Sequence, residues 1–180
     1  QDFGIRTTDL VSALTGNVIL KANNDITVDS AIDASGNNNA GNLELQAGRS
    51  IDINANITVE GSFTAIANEA SAKAGNRDGG DATFNSNGFT INTADSTASA
   101  HNISISYQSG PGSGSTPTGA MVIGTLNAGS SGAITLNPGS SETVSVDAIS
   151  NASALTLTQS NGATFEGAVN AGTITLSDTT

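Results

Sequence analysis

Apolar and polar residues alternate along short stretches of this chain. Residues 18–22, 26–28 and 32–34 each place Ile, Val, Leu or Ala at every second position. Because successive side chains of a β-strand point to opposite faces, the alternation predicts strands with one buried face and one exposed face. Residues 23–24 and 29–30, between these stretches, are types that favour tight turns. The pattern therefore predicts a unit of three short strands joined by polar corners.

This unit repeats. Residues 16–36 and 41–61 align without a gap at an offset of 25 residues, and the apolar positions of the alternating pattern stay apolar. The aligned pairs are Val18 with Leu43, Leu20 with Leu45, Ala22 with Ala47, Ile26 with Ile51, Val28 with Ile53, and Ile32 with Ile57. Repeats of 20–50 residues are typical of solenoids and related arrays. Three strands in each repeat predict an all-β chain in which each repeat forms one coil of a parallel β-helix.

The rest of the chain follows this plan less regularly. The segments GAITL, SALTL and GTITL begin at residues 132, 153 and 172, at intervals of 21 and 19 residues. We predict one β-helix segment over residues 1–180 with about seven coils, which at ~4.8 Å a coil gives a length on the order of 34 Å.

Several stretches interrupt the coils. Loop excursions are predicted near residues 68–81 and 108–119, which are rich in Gly and polar residues. The second excursion and residues 37–40 are the expected contact surfaces, because loops on a rigid scaffold often carry binding. Thr7–Leu14 is predicted to form one helical turn capped by Thr8.

Composition narrows the possible functions. Only 36% of the residues are hydrophobic and 3% aromatic, which suits a long thin core better than a round one. The net charge is −11 with five basic residues, so nucleic acid and anionic membrane surfaces would be repelled. There is no cysteine, and no apolar run approaches the roughly 20 residues of a membrane span. We expect no nucleic-acid partner and no membrane insertion.

Two features resemble catalytic or metal sites. His101 is the only histidine, but the chain lacks the G-x-S-x-G nucleophile elbow that a hydrolase triad of that type would need. The segment GNRDGGD, residues 75–81, superficially resembles a calcium loop but occurs once and out of pattern. A polar turn is the favoured interpretation, and Asp78 and Asp81 are the ligands expected if calcium binds.

Acidic residues also alternate with apolar ones. Enzymes that act on polysaccharides can use carboxylates from adjacent coils of a β-helix. Here the 25-residue offset places Ser50 beside Asp25 and Asn54 beside Asp29, so the carboxylates are not paired. Asp52 aligns with a threonine, and aromatic platforms for sugars are scarce. We therefore predict no catalytic and no cofactor-binding residues, with a polysaccharide-active enzyme as a distant alternative.

The segment LVSALTGNVILKANNDITVDSAID, residues 10–33, followed by GNLELQAGRSIDINANITVEG, resembles the haemagglutination repeats of filamentous-haemagglutinin-like exoproteins. The tail GATFEGAVNAGTITLSDTT is similar to later coils of the same family. The resemblance covers residues 7–57 and 132–180. It implies a long right-handed β-helical rod secreted by two-partner secretion through an outer-membrane partner. Such proteins act at the bacterial surface in adhesion, haemagglutination or biofilm formation.

Two interpretations of function follow. The first is a shaft segment of a secreted surface adhesin, whose partners would be host or neighbouring-cell glycans or proteins. The second is a subunit of an extracellular filament, because neither end of the sequence shows an obvious capping turn and open ends can pair strand to strand.

Overall fold

A computed structural model of the chain describes residues 3–36, 41–94, 99–111 and 118–179. These residues form fifteen strands, one α-helix and one short 3₁₀ helix. The helix is α1 (Thr7–Ala13), and the 3₁₀ helix spans Ala74–Asn76. The strands are β1 (Val18–Ala22), β2 (Ile26–Val28), β3 (Ile32–Asp33), β4 (Leu43–Ala47), β5 (Ile51–Ile53), β6 (Ile57–Thr58), β7 (Phe63–Ala67), β8 (Ala82–Asn85), β9 (Thr90–Asn92), β10 (Ile103–Tyr107), β11 (Thr118–Asn127), β12 (Ala133–Asn137), β13 (Val144–Ser160), β14 (Ala163–Phe165) and β15 (Val169–Thr179).

The strands stack in three parallel ladders. The first ladder runs β1, β4, β7, β10, β12, the last part of β13 and the last part of β15. The second runs β2, β5, β8, the first part of β11, the first part of β13, and β14. The third runs β3, β6, β9 and the remaining parts of β11, β13 and β15.

Along the chain, the strands enter the first, second and third ladders in turn. Each ladder keeps chain order, so every strand pairs with the equivalent strand one circuit earlier. This arrangement of parallel strands is consistent with a β-solenoid. The registers predicted from the 25-residue repeat are confirmed, with Leu20 opposite Leu45, Ile26 opposite Ile51, and Ile32 opposite Ile57.

The core is a narrow column of side chains that point inward from the ladders. Phe63, stacked between Leu43 and Ile103, is 0% exposed. The hydroxyl of Tyr107 also lies inside, where it accepts a hydrogen bond from the Phe84 amide at 2.8 Å and donates one to the Ala120 carbonyl at 3.2 Å. Because the polar atom is satisfied, this tyrosine can lie in an otherwise apolar column.

Helix α1 lies against the first circuit of strands. Leu10 and Leu14 join the hydrophobic core, and α1 contacts β3. No capping turn was expected before the first strands. That expectation is wrong next to β3, where α1 covers the core. The predicted cap is also wrong, because Thr8 lies inside the helix and accepts a bond from the Ser12 hydroxyl at its carbonyl, while Arg6 is the N-cap residue. No helix in the described ranges has the length and apolar character needed to cross a membrane.

The corners are tight where a long strand passes from one ladder to the next. Gly124 lies within β11 between its second-ladder and third-ladder parts. A Cβ at Gly124 would lie 2.1 Å from the carbonyl oxygen of Phe89 and 2.4 Å from that of Ser86. Glycine is required here because the backbone of the preceding circuit approaches too closely for a side chain.

A column of polar side chains precedes the first ladder. The Asn17 side-chain oxygen accepts the backbone amide of Asn42 at 3.1 Å, and the Asn42 side-chain oxygen accepts the amide of Ser62 at 2.8 Å. The Ser62 hydroxyl then accepts the amide of Asn102 at 3.0 Å. The Asn102 side-chain oxygen accepts the amide of Ala133 at 2.9 Å. Each circuit thus satisfies an amide of the next, so these polar side chains tie successive circuits together.

The two predicted excursions differ in how far the structure describes them. Residues 68–81 connect β7 to β8 and include the 3₁₀ helix Ala74–Asn76. In the second excursion, residues 112–117 lie outside the described residues, and β11 already begins at Thr118. The predicted excursion at residues 37–40 also lies outside the described part of the chain.

Candidate functional site

The most elaborate polar arrangement lies where the first ladder turns into the second. We call residues 23–25 and 48–50, the corners after β1 and β4, the polar corner. Arg49 makes a two-pronged ion pair with Asp25, with Nε 2.8 Å from Oδ1 and Nη2 on Oδ2. The Ser50 amide donates a further hydrogen bond to Asp25 Oδ1 at 3.0 Å. Both side chains of the pair are 26% exposed, so the pair is sheltered but not buried.

Residues 68–81 fold back over this corner. We call them the strap. The backbone amide of Lys73 donates to Asn23 Oδ1 at 2.9 Å. Asn24 and Asp78 bond reciprocally, because Asn24 Nδ2 donates to Asp78 Oδ2 at 2.7 Å and the Asp78 amide donates to Asn24 Oδ1 at 3.1 Å. The strap therefore touches the circuit of β1 although it belongs to the circuit of β7.

Two arginines fasten the strap from opposite sides. Arg77, on the strap, donates from Nε to the Gly48 carbonyl at 2.8 Å and from Nη1 and Nη2 to carbonyls of the strap itself. Arg49, on the corner, donates from Nη1 to the Gly79 carbonyl at 3.0 Å. Each guanidinium thus joins corner and strap, which its planar set of five donors allows.

The calcium candidates do not come together as a cation site. The carboxylate of Asp78 binds Asn24, and Asp81 is exposed at the start of β8. No three carboxylate or histidine side chains within the described ranges are placed to hold a metal ion. Calcium binding through Asp78 and Asp81 stays a prediction, without support from this geometry.

The acidic residues follow the predicted register. Asn54 Nδ2 donates to Asp29 Oδ1 at 2.9 Å, so an amide rather than a carboxylate lies next to Asp29. Asp52 lies opposite Thr27 on the neighbouring strand. Burial raises the pKa of Asp52, and the negative charge of Asp25 adds to this. The hydrogen bond from Arg49 lowers the pKa of Asp25 against the opposing effect of burial.

The opposite pKa shifts of Asp25 and Asp52 predict that substituting each residue changes the free energy of unfolding in opposite directions. Asp25→Asn should lower the free energy of unfolding at pH 7 by about 1 kcal/mol, because it breaks a sheltered ion pair. Asp52→Asn should raise it by up to about 0.5 kcal/mol, because it removes a charge that burial disfavours. Urea unfolding of both variants, followed by circular dichroism, measures the two differences.

The effects of both substitutions on stability should change with pH. Asp25 contributes stability above its ordinary pKa of 3.8, which is lost as the pH falls through its lowered value, so the cost of Asp25→Asn shrinks in acid. Wild-type Asp52 becomes neutral as the pH falls through its raised pKa, so the gain from Asp52→Asn disappears there. Asp81→Asn, at an exposed carboxylate, controls for the change in net charge. Equal effects of all three substitutions would contradict the prediction.

A second surface feature is a shallow open groove of about 540 Å³ at the corner between the third and first ladders. None of its lining side chains is charged, although the chain carries a net charge of −11. Asn170 donates to the Ser150 carbonyl at 3.3 Å and Ser153 to the Gly132 carbonyl at 2.9 Å. The lining residues are Ser130, Asn151, Ala152, Ser153, Asn170, Ala171 and Gly172.

His101 precedes β10, where it is partly buried. Its carbonyl accepts a hydrogen bond from the Thr93 hydroxyl at 2.9 Å.

Sequence reasoning missed both the strap contacts and the neutral groove. The Gly and charged residues of GNRDGGD marked the strap, but their corner partners lie up to 54 residues away and have no periodic signature.

No family model, curated protein or solved structure matches this chain. The resemblance to filamentous-haemagglutinin-like exoproteins therefore rests on the residue pattern alone.

Proposed function

We propose that this chain is a structural shaft segment of a large secreted bacterial surface protein of the adhesin or haemagglutinin type. The observation that carries the proposal is an unbroken path of parallel pairing through the first ladder, from β1 to β15. Along this path each circuit repeats the preceding one and adds length. The described residues offer a repeated scaffold rather than a convergent set of reactive groups.

The proposal includes the handedness of the rod and the number of its coils. We take the rod to be right-handed, as the resemblance implies, with three strands in each coil. We take the strands of the three ladders to make six full coils and the first strand of a seventh. At ~4.8 Å a coil this is a rod on the order of 30 Å long.

The state of the last strand supports a rod that is extended by further layers. Ile174 and Leu176 of β15 are 54% and 55% exposed. They lie in register with Leu155 and Leu157, which are 0% exposed because β15 covers them. One further coil over β15 would bury both side chains, at a gain of about 25 cal/mol for each Å² of apolar surface removed from water.

The mechanism is mechanical. Backbone hydrogen bonds between circuits run along the rod axis, so they hold the rod against stretching and leave few frayed segments for proteases. Polar residues vary freely on the outer face, and the net charge of −11 opposes lateral aggregation. Export through an outer-membrane secretion partner and a location at the cell surface follow from the resemblance. Contacts with host or neighbouring-cell glycans or proteins would be made by the protein that carries this shaft.

The exposed side chains of β15 also support a second candidate function, a subunit of an extracellular filament. A second copy could cover Ile174 and Leu176 by pairing a strand with β15. At the opposite end of the ladders, α1 packs on the core beside β3 and stands in the way of a closely stacked copy. For this reason we favour the shaft.

Negative-stain electron microscopy of the 180-residue chain over a concentration series separates the two. The shaft predicts short separate rods of constant length. The filament predicts particles that lengthen with concentration, and Leu176→Asn should then shorten them while Ile19→Asn, an exposed apolar position on β1, should not. A parallel haemagglutination assay tests the adhesin assignment, since a pure shaft segment should not agglutinate erythrocytes by itself.

A further inference from the structure

We propose that the strap is a mechanical lock that makes the first three circuits of the solenoid unfold as one unit. The circuits are residues 18–42, 43–62 and 63–102, each beginning with a strand of the first ladder. The strap is an excursion of the third circuit, yet it bonds to the corners of the first and the second. This inference concerns the stability of the rod and goes beyond its proposed role as a shaft.

In a plain solenoid each circuit contacts only its neighbours, so circuits can peel from an end one at a time. The strap adds contacts that skip a circuit. Asn24 and Asp78 are 54 residues apart, and Asn23 and Lys73 are 50 apart. The first circuit therefore cannot leave while the third keeps its strap in place.

The charges make this lock stronger than the same number of isolated contacts. Arg49 binds Asp25 of the first circuit and the Gly79 carbonyl of the strap at once. Arg77 reaches from the strap to the Gly48 carbonyl of the second circuit. If the strap detached from the corner, each guanidinium group would lose an acceptor. This loss is costly because charge-assisted hydrogen bonds are about twice as strong as neutral ones.

Packing holds the strap at the same place. A Cβ built on Gly48 would lie 2.6 Å from the Cβ of Ala72, so the Ala72 side chain of the strap packs directly against this glycine. The amides of Asn68 and Glu69 donate to the Arg49 and Ala47 carbonyls at 3.0 and 2.9 Å, which fixes the point where the strap leaves β7. The strap is thus seated along its length and not only at its charged groups.

Single-molecule pulling on the whole chain, held at its two ends, tests the lock. At about 3.5 Å per extended residue, joint unfolding of residues 18–102 releases about 300 Å in one step. Circuits that unfold separately would release about 70 to 140 Å each. We expect the single large step for the wild-type chain, and separate steps for the double variant Asn24→Ala with Arg77→Ala.

The matched control is the double variant Lys73→Ala with Asp81→Ala. It also removes two polar side chains from the strap region, one of them cationic. Both side chains are exposed, and the strap contact of Lys73 uses its backbone amide, so the control should keep the single step. Separate steps in the wild-type chain, or identical steps in both double variants, would overturn the proposal.

Hydrogen exchange gives a second readout that does not depend on pulling geometry. The amides of Ile26 and Arg49 donate between the first two circuits at 3.0 and 2.9 Å. We expect their exchange to be at least about 10-fold faster in the Asn24→Ala, Arg77→Ala variant and unchanged in the control. The amide of Ser153, far along the rod, should keep its wild-type rate in both variants, which shows that the chain still folds. Unchanged exchange at Ile26 and Arg49 in a folded double variant would contradict the lock, whatever the outcome for the shaft.

Discussion

Phe63→Ala should lower the free energy of unfolding by about 3 to 5 kcal/mol, the usual cost of removing a fully buried aromatic ring. Phe63 is 0% exposed and is stacked between Leu43 and Ile103 in the first ladder. The ring is enclosed by the circuits on either side of it, so few neighbours can move into the space and the cavity should persist. Urea denaturation followed by circular dichroism measures the loss.

Phe3→Ala is the matched control for this substitution. The same atoms are removed, but Phe3 is 87% exposed, so the expected change is within about 0.5 kcal/mol. A similar loss of stability in both variants would mean that the inward column is not the core of the fold.

Gly124→Ala should destabilise the chain by about 3 kcal/mol or more, although it adds a single methyl group. The new Cβ would lie 2.1 Å from the Phe89 carbonyl oxygen. Both clashing partners are backbone carbonyls, and the Thr125 amide is hydrogen-bonded to the same Phe89 carbonyl at 3.0 Å. Relief of the clash therefore requires two circuits to separate.

Gly16→Ala provides the comparison. No heavy atom lies within 4 Å of a Cβ at Gly16, so stability should stay the same or rise slightly as the unfolded chain loses freedom. The two midpoints of thermal unfolding, measured side by side, give the result. If Gly124→Ala unfolds with the wild-type midpoint, the corner in β11 is wider than the structure indicates.

The ladders were predictable where the repeat was undisturbed. Val18, Leu20 and Ala22 pair with residues 25 further on because buried positions accept only apolar side chains while exposed ones vary freely. The recurrence of GAITL and SALTL likewise gave the pairing of Ile134 with Leu155. In both regions the inward positions carry enough information to fix the register.

Other pairings could not be obtained in this way. Phe63 pairs with Ile103, 40 residues later, because the strap and a second long connection lengthen that circuit and hide the period. Thr8 was a plausible helix cap by residue type, but the helix starts two residues earlier than that role requires. The length of a connection and the start of a short helix depend on packing that the local sequence does not encode.

The candidate site was the least predictable part. The offset correctly placed Asn54 beside Asp29, because both lie at repeat positions. It could not indicate that Arg77 would bind the Gly48 carbonyl. Every residue has a backbone carbonyl, so the residue type at position 48 does not mark it as the acceptor. The neutral groove was also missed, because its small uncharged lining residues carry no pattern that marks a groove.

The column of Asn17, Asn42, Ser62 and Asn102 has a polarity. In each pair the earlier circuit supplies the side-chain oxygen and the later circuit supplies the backbone amide. A finished circuit therefore presents an acceptor already in place for residues that follow it in the chain. Folding that begins at the first circuits can be templated step by step toward the later ones, in the order in which a polypeptide threaded from its N-terminus would emerge.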